Sequence, residues 1–253
     1  MYILKNQQNT KGICFQCLST GSKGNSYLLH YIDEEKEKVE TLIIELGLPL
    51  EEIFKNLGDI KNVVGALYTH NHGDHNRNVG KGRKNNLLFS DYGIATYGSD
   101  NLEIGQKIKL GSFEITALPS THDIPCLSFL IEVGKKVILF ATDTSTLTRI
   151  KGCKVDTFIV EVNYSIELMN KLLEQQEEWS ELDLQAQRSA ERHLSLEYVE
   201  NYFKSLSYKP NYILTIHASK RKWFDKYQVI ERLKKYSKST IVNVAERGEW
   251  YVL

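Results

Sequence analysis

The sequence predicts an α/β domain whose sheets pack face to face between helices. Short apolar runs separated by Gly, Asn and Asp fill the first two thirds of the chain, which is typical of strands joined by turns. Segments with helical spacing and a second block of apolar runs follow. Strands in two blocks, each with helices, favour a layered α/β architecture.

The elements are predicted in chain order from these patterns. Strands of the first block are expected at GICFQCLS, NSYLLHYI, VETLIIELG, NVVGALYT, NLLFS, QKIKLGSFEITALPS, LSFLIEV, KVILFATD and TFIVEVN. Helices are expected at EEIFKNL, over a long polar stretch from Ile166 to Leu206, and at DKYQVIERLKKYS, because apolar residues recur there at helical spacing. NYILTIHA, TIVNVAE and EWYVL predict the last strands.

Length and charge limit the classes of protein that this chain can be. Its 253 residues fit one domain, predicted over 1–253, because no repeat or linker interrupts the sequence. Lys and Arg number 32 against 32 Asp and Glu, a balance that excludes a generic binder of polyanions. With no apolar run of about 18 residues and no signal-peptide pattern at the start, we expect a cytoplasmic protein with no membrane partner.

The four cysteines do not indicate the chemistry. Cys14 and Cys17 form a C-x-x-C within a predicted strand, where positions i and i+3 point to opposite faces. Cys126 and Cys153 are too far apart to complete a zinc ribbon with them. We therefore expect four reduced, mostly buried thiols.

The segment THNHGDH directly follows a predicted strand and concentrates metal-binding side chains. His70, His72 and His75 lie there with Asp74 among them. Such residues pack poorly in an apolar core because each buried polar group needs a partner. Imidazole and carboxylate groups suit zinc and similar metals, so the segment predicts a metal site rather than a polar turn.

Other candidate residues also lie at strand ends. His122 follows SFEITALPS, Asp143 ends KVILFATD and His217 ends NYILTIHA. Each residue alone is typical of a turn. Together with THNHGDH, however, they form a set of candidate metal ligands at one edge of the predicted sheets. His193 lies at a predicted helix start and joins the set, whereas His30 is left as a structural residue.

The order H-x-H-x-D-H, then His, Asp and a late His, resembles the metallo-β-lactamase superfamily over nearly the whole chain. The resemblance implies an αββα sandwich of two mixed β-sheets flanked by helices. The pair of His193 in RHLSLEYVENYF and His217 in LTIHAS resembles the last two motifs of tRNase Z and its phosphodiesterase relatives. STGSKGNSYLL, STHDIPCLSF and FIVEVNY resemble the YycJ-type exonucleases and the phage anti-Pycsar nucleotidases more closely. Three positions depart from these relatives: Glu45 replaces Asp, Arg192 replaces glycine and Asn76 replaces an apolar residue.

The resemblance also implies the site and its mechanism. One divalent metal is held by His70, His72 and His122, and a second by Asp74, His75 and His217, with Asp143 bridging; zinc is the expected metal and manganese the alternative. Two such ions acidify a shared water and clamp both oxygens of an in-line displacement. Asp74 is also expected to steer the hydroxide's proton, and His193 to contact the scissile phosphate or protonate the leaving oxygen. Asp123 is either an anchor for His122 or a surface turn residue.

Charge distribution favours a small substrate. The stretch 166–192 carries seven acidic and three basic side chains next to His193, which disfavours a long polyphosphate but not a buried mononucleotide. We expect a cyclic nucleotide such as a 3′,5′-cyclic mononucleotide, and a homodimer, because relatives often pair. A DNA exonuclease or RNA 3′-processing nuclease is the alternative, with a single-stranded nucleic acid held by the basic stretch 220–238. A thioester or lactone hydrolase is the second alternative.

Three residues are candidates for substrate binding, against the simpler interpretation of a solvated helix start. Lys220, Arg221 and Lys222 follow the His217 strand, with aromatic Trp223 and Phe224 beside them. Basic residues beside aromatic rings can hold a phosphate and stack a base.

Overall fold

A computed structural model describes residues 12–77, 89–175, 181–219 and 221–253. The chain divides into two compact units. The first contains the chain up to Ala117 with 131–136 and 246–253, and the second contains 118–130 and 137–245. No helix within the described ranges is long and apolar enough to cross a membrane.

The strands of the described residues form two sheets. In chain order they are β1 (Gly12–Ser19), β2 (Ser26–Asp33), β3 (Lys38–Ile44), β4 (Val63–Tyr68), β5 (Thr96–Gly98), β6 (Lys107–Leu110), β7 (Phe113–Pro119), β8 (Leu127–Val133), β9 (Lys136–Ala141), β10 (Thr157–Glu161), β11 (Tyr212–Ile216), β12 (Ile241–Val244) and β13 (Trp250–Val252). One sheet has the order β13-β1-β2-β3-β4-β5 and the other β12-β11-β10-β9-β8-β7-β6.

Both sheets are mixed. In the first, β1 pairs antiparallel with β13 and β2, and β2 with β3, whereas β3, β4 and β5 run parallel. In the second, β9, β10, β11 and β12 run parallel, and β6 pairs antiparallel with β7. Parallel neighbours end at the same edge of a sheet, so residues that follow them along the chain are brought together.

Three of the five helices in the described residues begin at side-chain caps that the sequence supplies. The helices are α1 (Leu50–Asn56), α2 (Ile166–Leu173), α3 (Glu181–Arg192), α4 (Leu196–Lys204) and α5 (Lys226–Tyr236). Ser165 accepts a hydrogen bond from the Leu168 amide at the start of α2, Ser195 caps α4, and Asp225 caps α5. Such caps satisfy amide groups that have no partner within the helix.

Each unit contains clustered buried apolar side chains. In the first unit the cluster includes Leu28, Ile43 and Tyr68. In the second it includes Phe158 of β10 and Phe203 of α4, whose rings lie 5.0 Å apart and at right angles. The predicted α/β class, with two mixed sheets and helices, is confirmed.

Several details differ from the sequence prediction or refine it. Within its described residues, the polar stretch 166–206 contains three helices rather than one. The predicted strand QKIKLGSFEITALPS forms two strands, β6 and β7, and β5 is an additional strand. The predicted strand NLLFS lies partly outside the described residues, and its last two residues belong to the 3-10 turn Phe89–Tyr92. All four cysteines are reduced, as expected, and Cys153 is exposed whereas the other three are buried.

Candidate metal centre

The loop that follows β4 brings two histidine rings of the first unit into contact. The Nδ1 atom of His70 lies 2.9 Å from the Thr69 hydroxyl, and its Nε2 atom lies 3.0 Å from Nδ1 of His72. His70 is fully buried and His72 partly exposed. Two ring nitrogens this close direct their lone pairs to one region, as ligands of one ion would.

His75 is buried in the same loop and is held from two sides. Its Nδ1 atom lies 3.1 Å from the carboxylate of Glu45, which directly follows β3. Its Nε2 atom lies 2.9 Å from the side-chain amide of Asn25 and 3.6 Å from the Asp74 carboxylate. Glu45 has a left-handed backbone (φ 64°), which is uncommon for a residue other than glycine and is typical of functional sites.

Backbone contacts fix this loop against the ends of two other strands. The Asn25 amide donates to the Asp74 carbonyl (2.7 Å), and the Leu46 amide donates to the His75 carbonyl (2.7 Å). Gly47 lies so close that a Cβ atom there would be 1.8 Å from the Asp74 carbonyl oxygen. The positions of Asp74 and His75 are therefore determined by chain segments remote in sequence.

Three parallel strands of the second unit end in metal-binding side chains. Asp143 follows β9, Glu161 ends β10 and His217 follows β11. The Nε2 atom of His217 lies 3.3 Å from Asp143, and its Nδ1 atom lies 3.5 Å from Glu161. Asp143 and His217 both have left-handed backbones (φ 49° and 53°), which is uncommon for residues other than glycine and typical of functional sites.

The Glu161 carboxylate is fully buried and organises this cluster. One oxygen accepts hydrogen bonds from the backbone amides of Thr144 (2.9 Å) and Leu194 (3.1 Å). The other lies 2.9 Å from Nδ1 of His193. Burial alone would raise the pKa of Glu161, but the charge of His193 and hydrogen bonds from His193 and His217 outweigh it and lower the pKa below its ordinary value.

His122 lies beside the same cluster in the second unit. Its Nε2 atom is 3.9 Å from Asp143 and 3.1 Å from Asp123. The other Asp123 oxygen pairs with Arg192 at 2.9 Å. The rings of His193 and His217 stack with their centres 5.2 Å apart, and the His122 ring centre is 6.1 Å from that of His193.

The donor set of the second unit fits a divalent metal. One ligand atom from each of four residues lies within 4.8 Å of the others, namely Asp143, Glu161, His193 and His217. Imidazole nitrogen and carboxylate oxygen are suitable ligands for zinc, manganese and iron. Each predicted ligand shares its unit with other predicted ligands. The first unit contains His70, His72, Asp74 and His75, and the second contains His122, Asp143 and His217.

The predicted substrate-binding residues have a different setting. Lys220 lies outside the described residues, and Arg221 and Lys222 are exposed. The Arg221 guanidinium donates to the Gln185 side chain on α3 and lies 5.2 Å from the centre of the Trp223 ring. Trp223 is fully buried, so its ring does not present a face to solvent for stacking a base.

Two residues of the site are not apparent from the sequence. Glu161 ends an apolar strand, and its charge in the segment FIVEVNY is the available signal. Asn25 lies in the turn before β2, and its side chain contacts His75. A polar residue at a strand end is an ambiguous signal until the pairing of strands is known.

Solved structures with the same fold cover almost the whole chain. The metallo-β-lactamase fold protein YhfI from Bacillus subtilis aligns with a TM-score of 0.66 and 15% identity over 95% of this chain and 99% of that one. Human tRNase Z, short form, aligns with a TM-score of 0.56 and 14% identity over 94% of this chain and 98% of that one. The chain therefore has the metallo-β-lactamase fold, as its motifs predict.

Sequence similarity adds a curated relative to these structural matches. Exodeoxyribonuclease YycJ of Bacillus anthracis is 24% identical over 185 residues, which are 62% of this chain and 66% of that enzyme. The chain thus spans about two thirds of the length of the curated relative that it matches. No protein-family model matches the chain. These relatives support the predicted resemblance to metal-dependent hydrolases of the phosphodiesterase and nuclease branch.

Proposed function

We propose that the chain is a metal-dependent phosphodiesterase that hydrolyses small nucleotides, with 3′,5′-cyclic mononucleotides as the preferred class. The observation that carries the proposal is the buried cluster in which Glu161 contacts His193 and His217 beside Asp143. Two carboxylates and the His217 imidazole at adjacent strand ends, with the His193 imidazole directly after α3, combine metal ligands with a group able to donate a proton.

Seven residues are proposed to hold two divalent ions: His70, His72, Asp74, His75, His122, Asp143 and His217. When bound, such ions supply a nucleophile at neutral pH and neutralise charge on a phosphodiester. Zn²⁺ is the proposed metal and Mn²⁺ the alternative, because both accept histidine and carboxylate ligands. We further propose that the chain acts as a homodimer.

His193 is proposed as the residue that contacts the scissile phosphate or protonates the leaving oxygen. Its Nδ1 atom lies 2.9 Å from buried Glu161, which favours a proton on that nitrogen and leaves Nε2 directed away from this carboxylate. Its side chain is 17% exposed, so the ring is accessible from solvent while its anchor is fully buried. Asp74, beside His75, is proposed to orient the attacking oxygen through a hydrogen bond.

The small-nucleotide assignment is supported by the charge of the stretch that leads to His193. The stretch 166–192 carries seven acidic and three basic side chains; α3 itself has three acidic residues and two basic ones, Arg188 and Arg192. An excess of negative charge along this stretch disfavours a long polyphosphate backbone. The side chain of Arg221, a candidate contact for such a backbone, donates to Gln185 on α3. A DNA exonuclease is the second candidate function, favoured by the similarity to Exodeoxyribonuclease YycJ.

Hydrolysis by metal-loaded protein, with and without a chelator, tests the proposal. The substrates are 3′,5′-cyclic mononucleotides, single-stranded DNA and a tRNA with a 3′ extension. We expect opening of the cyclic nucleotides that the chelator abolishes, with both polymers intact. Shortening of a polymer while cyclic nucleotides stay intact contradicts the small-nucleotide assignment, and no hydrolysis of any of them contradicts the proposed activity.

Two variants show whether the activity belongs to this site. His193→Gln keeps a polar side chain but removes the titratable ring, and we expect a loss of about 100-fold or more in kcat with both metals retained. Asp33→Asn is the control: it removes a carboxylate that caps a 3-10 turn and pairs with Lys36, and it leaves His193 unchanged. Equal activity of the two variants contradicts the role of His193.

A further inference from the structure

Three side chains of the second unit form a continuous chain of polar contacts that starts at His122. One oxygen of Asp123 lies 3.1 Å from Nε2 of His122, and the other lies 2.9 Å from the guanidinium of Arg192. We propose that Arg192 is a positioning residue that acts through Asp123 to fix the imidazole of His122 for metal binding. This inference rests on the proposed function only in taking His122 as a metal ligand.

The burial of these side chains argues for positioning rather than for stability. Exposure rises along the chain of contacts, from 2% for His122 to 28% for Asp123 and 40% for Arg192. Ion pairs at this degree of exposure add little to the free energy of folding. Their geometric effect is larger, because a carboxylate held at both oxygens keeps the ring that it contacts in one orientation.

Arg192 is the last residue of α3 and directly precedes His193. Its backbone position therefore adds to the positioning effect of the ion pair with Asp123. The ion pair therefore joins the loop that carries His122 to the segment that carries His193. The ring centres of these two histidines are 6.1 Å apart. A contact between the two segments fixes this separation as well as the orientation of His122.

The same loop is held on its other side by the segment that follows Asp143. The Thr121 amide donates to the Thr144 hydroxyl (3.0 Å), and the Ser145 amide donates to the Thr121 carbonyl (2.9 Å). These bonds remain when the ion pair with Arg192 is lost, and only the restraint through Asp123 is removed. The loop should then stay folded while His122 gains freedom.

Metal binding by four variants tests the proposal. Asp123→Asn and Arg192→Gly break the chain of contacts, and Arg192→Lys keeps a positive charge able to reach Asp123. Glu231→Gln is the matched control, because it removes an exposed ion pair with Lys235 on α5 (2.8 Å). The measurements are Zn²⁺ stoichiometry and affinity by chelator competition, the visible spectrum of the Co²⁺-loaded protein, and thermal unfolding of the metal-free protein.

We expect Asp123→Asn to weaken the affinity for one metal ion about 10-fold or more and to shift the Co²⁺ spectrum. Arg192→Gly should change both in the same direction by a smaller factor, and Arg192→Lys should restore most of the loss. The metal-free unfolding midpoints should match the control. Wild-type affinity and spectrum in Arg192→Gly overturn the proposal, as does a variant whose only change is a lower unfolding midpoint.

These measurements distinguish failure of the positioning role of Arg192 from failure of the proposed phosphodiesterase function. A wild-type protein that binds metal but hydrolyses no phosphodiester contradicts the function, while loss of affinity in Asp123→Asn and Arg192→Gly still supports the positioning role. A wild-type protein that hydrolyses phosphodiesters, with unchanged metal binding in those variants, overturns the positioning role alone. A wild-type protein that binds no divalent metal overturns both.

Discussion

At the scale of single residues, His30 differs from the histidines of the candidate metal centre. It is fully buried on β2, stacks on Trp250 with ring centres 5.0 Å apart, and its Nδ1 atom lies 2.9 Å from the Thr41 hydroxyl. Its Nε2 atom has no hydrogen-bond partner among the described residues. Burial lowers the pKa of His30 from 6.5 to about 4, so the folded protein holds this ring neutral.

This depressed pKa predicts a loss of stability in mild acid. Above pH 6.5 the ring is neutral in both states and has no effect; as the pH falls toward 4, only the unfolded chain takes up a proton. The free energy of unfolding should fall by about 2 kcal/mol between pH 7.5 and pH 5 from this residue alone. Denaturant unfolding of wild type and His30→Gln at several pH values measures it.

The difference between the two proteins isolates His30, because every other titrating group is common to both. His30→Gln should be less stable at pH 7.5, where the packing on Trp250 is lost, but its stability should decline less on acidification. Parallel pH profiles for the two proteins would contradict the assignment of a depressed pKa to His30.

Sequence patterns identify ligand residues better than the residues that orient them. His70, His72 and His75 stand out because three histidines within six residues pack poorly in an apolar core and suit a metal ion. Glu161 and Asn25 do not stand out, because the histidines that they contact, His193 and His75, are more than 30 residues away along the chain. Which distant side chain a carboxylate contacts depends on strand order, and the sequence leaves that order open.

At the scale of elements, the ends of parallel strands position the loops that carry the candidate ligands. Gly47 follows β3 and touches the loop after β4, where an added Cβ would lie 1.8 Å from the Asp74 carbonyl oxygen. That carbonyl also accepts a hydrogen bond from the Asn25 amide (2.7 Å), which holds it close to Gly47. Only glycine permits this approach.

Gly47→Ala should therefore destabilise the fold by about 3 kcal/mol or more and displace Asp74 and His75. Gly73→Ala is the matched control, because Gly73 lies in the same loop and its added Cβ would meet nothing within 4 Å. Denaturant unfolding and zinc titration of both variants check the prediction. Equal stability and equal zinc affinity in the two variants would show that the close contact is not restrictive.

Helices and strands are predicted most accurately where neighbouring residues mark their ends and their apolar faces clearly. Strands bounded by turn residues and rich in apolar side chains are predicted closely, as for β1 and β8. The polar stretch 166–206 shows helical periodicity but weak end signals, although Ser165 and Ser195 cap two of its helices. The short strand β5 has three residues and is defined by pairing with β4, which local sequence does not encode.

At the scale of the whole molecule, the balance of charge bears on the substrate. The chain carries 32 basic and 32 acidic side chains, with acidic residues on α3 and basic residues on α5. A protein that holds a polymer through several phosphates releases counterions on binding, and its affinity falls steeply with salt. A protein that binds a small nucleotide releases few counterions on binding, so its affinity depends only weakly on salt concentration.

We therefore expect kcat/KM for a 3′,5′-cyclic mononucleotide to change by less than about twofold between roughly 50 and 200 mM salt. A single-stranded polymer held through about four phosphates would lose on the order of 50-fold in affinity over the same range. Initial rates at fixed metal loading and pH measure both, and Lys222→Gln removes one exposed basic side chain. A steep salt dependence that becomes shallower in Lys222→Gln would mean that the basic stretch 220–238 binds a polymer backbone, because each lost phosphate contact reduces the slope. A shallow dependence unaffected by that substitution would leave substrate selection to the buried residues around His193.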